Sequence, residues 1–207
     1  MLMKRFVPVA LTVLFAVAPL VAQGAAGWQV RVDRSTSATD PDASGDVKFM
    51  AMGEGFHAVN PQAAVYWNPA NTATGSYSVH GQFTQLMESD HTNYFGLVFG
   101  GSDLGGAQQA YIYFMVAQDG TWLLKRRNGA TAEDVTASRA SPAVRRLGAN
   151  GQSTNTLDVR VTGDTIVYSV NGTTVHTMPK AGITTDGTYG FRVNHRLEVQ
   201  VDSFGVL

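Results

Sequence analysis

The residues from Asn155 to Val175, NTLDVRVTGDTIVYSVNGTTV, constrain the fold of this chain more than any other stretch. In a strand successive side chains point to opposite faces, so Leu157, Val159 and Val161 share one side and Asp158, Arg160 and Thr162 the other. That alternation describes a sheet with one buried face and one wet face. Gly163-Asp164 suits a tight type II′ hairpin, Ile166, Tyr168 and Val170 resume the alternation, and Asn171-Gly172 supplies the positive φ values of a type I′ turn. The spacing predicts an antiparallel meander of three strands.

Similar segments recur along the chain. Before the meander they fall at 28–32, 47–52, 64–67, 77–87, 94–99, 109–117 and 121–127, and after it at 189–193 and 197–207. No amphipathic helix of useful length interrupts them. Many short strands with Gly, Asn and Asp at the joints predict an all-β protein, a sandwich or barrel. The polar stretches 35–46 and 129–153 read as loops inside a single domain spanning 25–207, because the strands flanking each are too few to be stable alone.

Residues 1–24 have a different character. Lys4 and Arg5 precede an apolar run from Phe6 to Ala22 and then small residues, the layout of a secretory signal peptide cleaved after Gly24 or Ala26. The run contains Pro8 and Pro19 and is shorter than the ~20 residues of a spanning helix. The mature chain is therefore expected to be periplasmic or secreted and to make no membrane contact. Loss of Lys4 and Arg5 takes the 15 basic residues to 13 against 16 acidic ones, which argues against a nucleic-acid partner. With no cysteine, the hydrophobic core must hold the fold without disulfides.

The order of the later motifs carries a resemblance. N-T-L-D-V from Asn155, G-D-T-I-V-Y-S-V-N-G ending at Gly172, G-T-Y-G-F from Gly187 and V-D-S-F-G-V from Val201 follow one another, and YFGLVFGG and QAYIYFMVAQDGTWLLKRRNG fit upstream. In this the chain resembles the concanavalin A-like lectin and glucanase superfamily, and most of all its bacterial laminin G-like and family 16 glycoside hydrolase-related modules. The resemblance implies a two-sheet antiparallel jelly roll with a face that binds carbohydrate in many relatives and hydrolyses it in some.

Which of these applies depends on residues. A retaining glycosidase needs two carboxyl groups about 5 Å apart, which the family 16 enzymes take from one strand as E-x-D-x-x-E or E-x-D-x-E. That pattern is absent here: Glu54, Glu88, Glu133 and Glu198 are scattered. The histidines, at 57, 80, 91, 176 and 195, show no spacing of a zinc motif. In TDPDASGD, Asp40, Asp42, Ser44 and Asp46 alternate around Gly45 like the first half of a calcium loop, although Ala51 stands where such a loop would place its glutamate. The stretch reads either as a calcium site or as a solvated polar loop.

A two-residue turn at Asp119-Gly120 would set Ala117 opposite Trp122. One face of that hairpin then carries Tyr111, Tyr113, Met115, Trp122, Leu124 and Arg126, and the other Ile112, Phe114, Val116, Leu123, Lys125 and Arg127. Tyr111, Tyr113, Trp122 and Arg126 combine rings that stack on sugar C–H faces with a planar cation that bonds hydroxyls. The same rings would serve equally well as core. Tyr66-Trp67 reads as a buried anchor ended by Asn68-Pro69, Lys125-Arg126-Arg127 and Arg145-Arg146 as solvated charge, and Asn171-Gly172-Thr173 as turn chemistry rather than a glycosylation site. The sequence thus leads to an exported domain that binds carbohydrate or a cell-envelope glycan, with a glycan or keto-sugar hydrolase and an adhesive surface domain as alternatives.

Overall fold

This computed structural model describes residues 25–207, so the signal peptide read over 1–24 lies outside the described residues. The described chain forms fourteen strands, numbered along the sequence, and two seven-stranded antiparallel sheets. The first sheet runs β1 (Gln29–Asp33), β4 (Ala63–Ala73), β13 (Gly187–Val193), β6 (Tyr94–Ser102), β7 (Ala110–Ala117), β8 (Thr121–Asn128) and β9 (Thr131–Ala140). The second runs β12 (Thr173–Pro179), β11 (Thr165–Val170), β10 (Ser153–Val161), β5 (Tyr77–Gln85), β14 (Leu197–Val206), β3 (Gly55–Asn60) and β2 (Lys48–Met52). No helix occurs among the described residues. The expected jelly-roll sandwich is what the chain forms.

The meander that dominates the sequence occupies one edge of the second sheet. Leu157, Val159 and Val161 pair with Val170, Tyr168 and Ile166, and all six are buried. They meet Phe95, Leu97, Phe99 and Phe114 from the first sheet in one continuous core. Each such side chain contributes about 1.5–3 kcal/mol by leaving water, which is how the fold holds without a disulfide. At one end of this core Trp28, Phe49, Phe56, Tyr66, Phe191 and Phe204 pack ring against ring. Tyr66 is fully buried as an anchor, its hydroxyl donating to Asn60 Oδ1 at 2.6 Å.

Four local expectations are corrected. Strand β9 arises from the first part of the supposed loop 129–153 and caps the edge of its sheet by pairing with β8. Strand β3, unforeseen, pairs with β2 and β14. Strand β4 continues through Pro69 to Ala73, because the ladder to β13 skips from Trp67–Gly190 to Thr72–Thr188; a proline is tolerated where the ladder has no bond for it to donate. At the first meander turn neither Gly163 nor Asp164 has the positive φ that a type II′ turn would give the glycine, whereas Asn171 (φ 50°) and Gly172 (φ 79°) do form the type I′ turn.

Candidate functional site

The hairpin joining β7 to β8 decides which side chains face outward. Gly120 has φ 86° and its N–H donates to Ala117 O at 3.1 Å, so the turn contains one residue more than a two-residue loop. Val116 therefore lies opposite Trp122, and Met115, Tyr113 and Tyr111 opposite Leu123, Lys125 and Arg127. A shift of one residue exchanges the faces of an entire strand. Trp122 is consequently in the core, 6.1 Å ring to ring from Phe114, and is 3% exposed. Arg126 leaves the tyrosine face as well; at the sheet's end it pairs with Glu133 at 2.8 Å. Of the four side chains grouped by the sequence, Tyr111 and Tyr113 lie on the outer face, and Trp122 and Arg126 on the opposite one.

That outer face carries an arrangement the sequence reading missed. Arg31 and Asp33 project from β1, Arg192 from β13 between the core residues Phe191 and Val193, and Arg127 from β8. Arg192 is 9% exposed, and its Nη1 donates to Asp33 Oδ2 at 2.5 Å and to the Tyr111 hydroxyl at 3.1 Å. Its guanidinium carbon lies 5.7 Å from the centre of the Tyr113 ring, and its Nε donates to Asn194 Oδ1 at 3.2 Å. The two tyrosines thus support Arg192 from beneath, and their ring faces are not free. Asp33 Oδ1 also accepts from Arg31 Nε at 3.1 Å, with Arg127 Nη2 at 4.0 Å. Gln109, turned so that its oxygen faces the cations, bridges Arg31 and Arg127 at 2.9 and 3.2 Å.

Burial opposes ionisation of Asp33, but Arg192, Arg127 and Arg31 outweigh it and hold the carboxyl below its usual range. Burial likewise opposes the charge on Arg192, and Tyr111 and Asp33 outweigh it, so the guanidinium stays charged. Burial pushes the Tyr111 and Tyr113 hydroxyls up, which leaves them neutral donors and acceptors. Three guanidinium groups around one carboxylate leave a surplus of positive charge. They line a hollow of about 700 Å³ whose wall also includes Arg34, Asn93, Asn194 and His195. An arginine between two core positions of a strand, as in F-R-V at 191–193, was the signal in the sequence that could have marked this face.

The four residues of the candidate calcium loop separate. Asp40 and Asp42 line the same hollow and turn toward histidines, with Asp42 Oδ1 3.1 Å from His195 Nδ1. Asp42 Oδ2 is occupied by the N–H of Ser35 at 2.9 Å. Ser44 and Asp46 line a different hollow of about 470 Å³, beside Lys48 and Glu198. The loop is fixed from outside by Gln62, whose Nε2 donates to Ala43 O and Gly45 O at 3.0 and 2.8 Å.

No protein-family model and no curated protein matches the sequence. Solved structures do match. The carbohydrate-binding module CBM66 from Bacillus subtilis aligns with TM-score 0.61 at 10% identity, over 87% of this chain and 94% of that one. A Bacillus subtilis protein of unknown function with a galectin-like fold aligns with TM-score 0.58 at 16% identity, over 86% and 88%. A family 16 glycoside hydrolase endo-glucanase from Bacteroides ovatus aligns with TM-score 0.58 at 9% identity, over 87% and 93%. At these identities the likeness establishes the fold alone.

Proposed function

We propose that this concanavalin A-like jelly roll is an exported carbohydrate-binding module and that the sugar enters the hollow above Asp33, Arg127 and Arg192. The supporting observation is the set of polar groups of both signs held in fixed positions there. A sugar ring presents neighbouring hydroxyls, each of which both donates and accepts. A carboxylate that accepts, set beside guanidinium groups that donate in a planar fork, matches such a pair without rearrangement. Tyr111 and Tyr113 act indirectly in this reading, by holding Arg192.

The surplus of arginine favours a glycan that carries carboxylates over one that carries amines, and the signal-like leader supports an encounter with such glycans in the cell envelope or outside the cell. The name of the CBM66 module is consistent with carbohydrate as the ligand class. The glucanase neighbour favours a second reading, hydrolysis, which would need a pair of carboxyl groups placed about the ring.

The test is a glycan-array screen of residues 25–207 with an Arg127→Ala control. Binding to acidic or neutral glycans that disappears in the variant, with its melting temperature retained, is the expected result. Silence from folded protein, or binding indifferent to Arg127, would overturn the reading. Release of new reducing ends from a bound glycan would replace it with the hydrolase.

A further inference from the structure

Three loops meet at the end of the sandwich beside the hollow. The segment between β1 and β2 supplies Asp40, the segment between β5 and β6 supplies His91, and the turn between β13 and β14 supplies His195. His91 Nε2 and His195 Nε2 lie 3.2 Å apart, and Asp40 Oδ1 lies 2.9 Å from the first and 3.1 Å from the second. Three donor atoms therefore form a nearly equilateral triangle. In a tetrahedral zinc site with bonds of about 2.0–2.1 Å, the ligand atoms stand about 3.3 Å apart. The triangle matches that spacing to within a few tenths of an ångström.

The atoms behind the triangle point the same way. His195 Nδ1 faces Asp42 Oδ1 at 3.1 Å, and His91 Nδ1 faces Asp90 Oδ1 at 2.7 Å. A metal-binding imidazole commonly gives its other N–H to a carboxylate, which fixes the ring and leaves the lone pair of the opposite nitrogen on the metal. Here both rings have that carboxylate. With the protons on Nδ1, two imidazole lone pairs and a carboxylate oxygen converge on one point, an arrangement that a cation relieves. Asn93 Nδ2 lies 3.1 Å from His91 Nε2, a contact that fits the same tautomer and that the ion would displace. The frame is braced: Arg196 pairs with Asp90 and donates to Pro41 O at 3.1 Å, tying together the three loops that bring the donors.

We infer that Asp40, His91 and His195 bind a divalent transition metal, with zinc the best fit. Two imidazoles and one carboxylate suit zinc, cobalt or nickel, whereas calcium asks for a shell of oxygen atoms. Three protein ligands leave the fourth position to water or to an oxygen of a bound molecule. Asp40 and His195 also line the hollow, which places the ion at its wall. The metal site stands on its own geometry and does not depend on the sugar reading.

Untagged protein, stripped with a chelator, is titrated with zinc chloride in the absence of any glycan. The expected result is one zinc per chain by calorimetry, a raised melting temperature, and the intense visible absorption of four-coordinate cobalt when cobalt replaces zinc. His91→Ala abolishes all three, and because its side chain is 36% exposed in a loop the fold survives the change. Asp40→Asn provides a second variant with the same expectation. Asp42→Asn, at a positioning residue, weakens zinc about 10- to 100-fold and leaves the cobalt spectrum four-coordinate. Folded wild-type protein that binds no zinc would overturn the inference. So would zinc binding unchanged by His91→Ala, or a melting temperature raised by calcium and not by zinc.

Discussion

Arg192 Nη1 lies 2.5 Å from Asp33 Oδ2, a contact that joins β13 to β1 across the intervening strand β4. Both groups are largely removed from water, so the loss of either leaves the other buried and uncompensated. Arg192→Ala is expected to cost about 3–5 kcal/mol in urea unfolding. Because the Asp33 carboxyl is held below its ordinary value of 3.8, its contribution is present above that value and is lost as pH falls through the depressed one. Unfolding curves taken from neutral pH into the acid range should show this loss, and Asp33→Asn should flatten it.

Trp122 and Arg127 separate stability from binding. Trp122→Ala opens a cavity beside Phe114 and is expected to cost about 3–5 kcal/mol. At a temperature where the variant remains folded it binds glycan like the parent. Arg127→Ala does the reverse, losing the glycan with a small change in melting temperature. Calorimetric titration and thermal melts of both proteins give the comparison, and a Trp122 variant that is stable but cannot bind would return that ring to the ligand.

Asn171 does more than allow its turn. Its Oδ1 accepts from Thr156 N at 2.9 Å, while its Nδ2 donates to Ala143 O at 2.8 Å and to Asn155 Oδ1 at 2.9 Å. Glycine would accept the positive φ equally well and keep none of these bonds. Asn171→Gly should therefore lose about 2–3 kcal/mol, at about 1 kcal/mol per bond, as measured by the midpoint of urea unfolding. No change would mean that turn geometry alone explains the residue.

Tyr66 predicts behaviour at alkaline pH. Burial pushes its hydroxyl well above the ordinary value of 10.0. The stability that follows is complete below that value and falls as pH rises beyond it, so Tyr66 should ionise only as the protein unfolds. The difference in tyrosinate absorbance between the protein and its Tyr66→Phe variant should change together with the circular dichroism. Tyr66→Phe removes the donor to the buried Asn60 Oδ1 and is expected to cost about 1–3 kcal/mol at neutral pH.

The legible parts of the sequence are those governed by neighbouring residues. Leu157, Val159 and Val161 announce their buried face by alternation, and Asn171-Gly172 announces its turn, because side-chain direction and φ are local properties. The β7–β8 register was not local. Gln118, inside the turn, accepts from Gln85 Nε2 at 2.8 Å and from Ser89 N at 2.9 Å, and these distant partners hold the longer loop that moves Trp122 inward. The hollow was hidden for a related reason, since Arg31, Asp33, Arg127 and Arg192 come from three strands. His91 and His195 likewise show no motif because the spacing between them is spatial.

The position of the last two strands bears on how the chain reaches its fold. β13 lies between β4 and β6, and β14 between β3 and β5, so each sheet is two unconnected halves until these strands are made. Contacts that close over such long separations form slowly. Synthesis runs from the N-terminus, so β1 to β12 have all emerged before either sheet can be completed. A nascent chain of this kind holds two divided layers until β13 and β14 appear, and a stop codon before Gly187 would remove the middle of both layers rather than trim an edge.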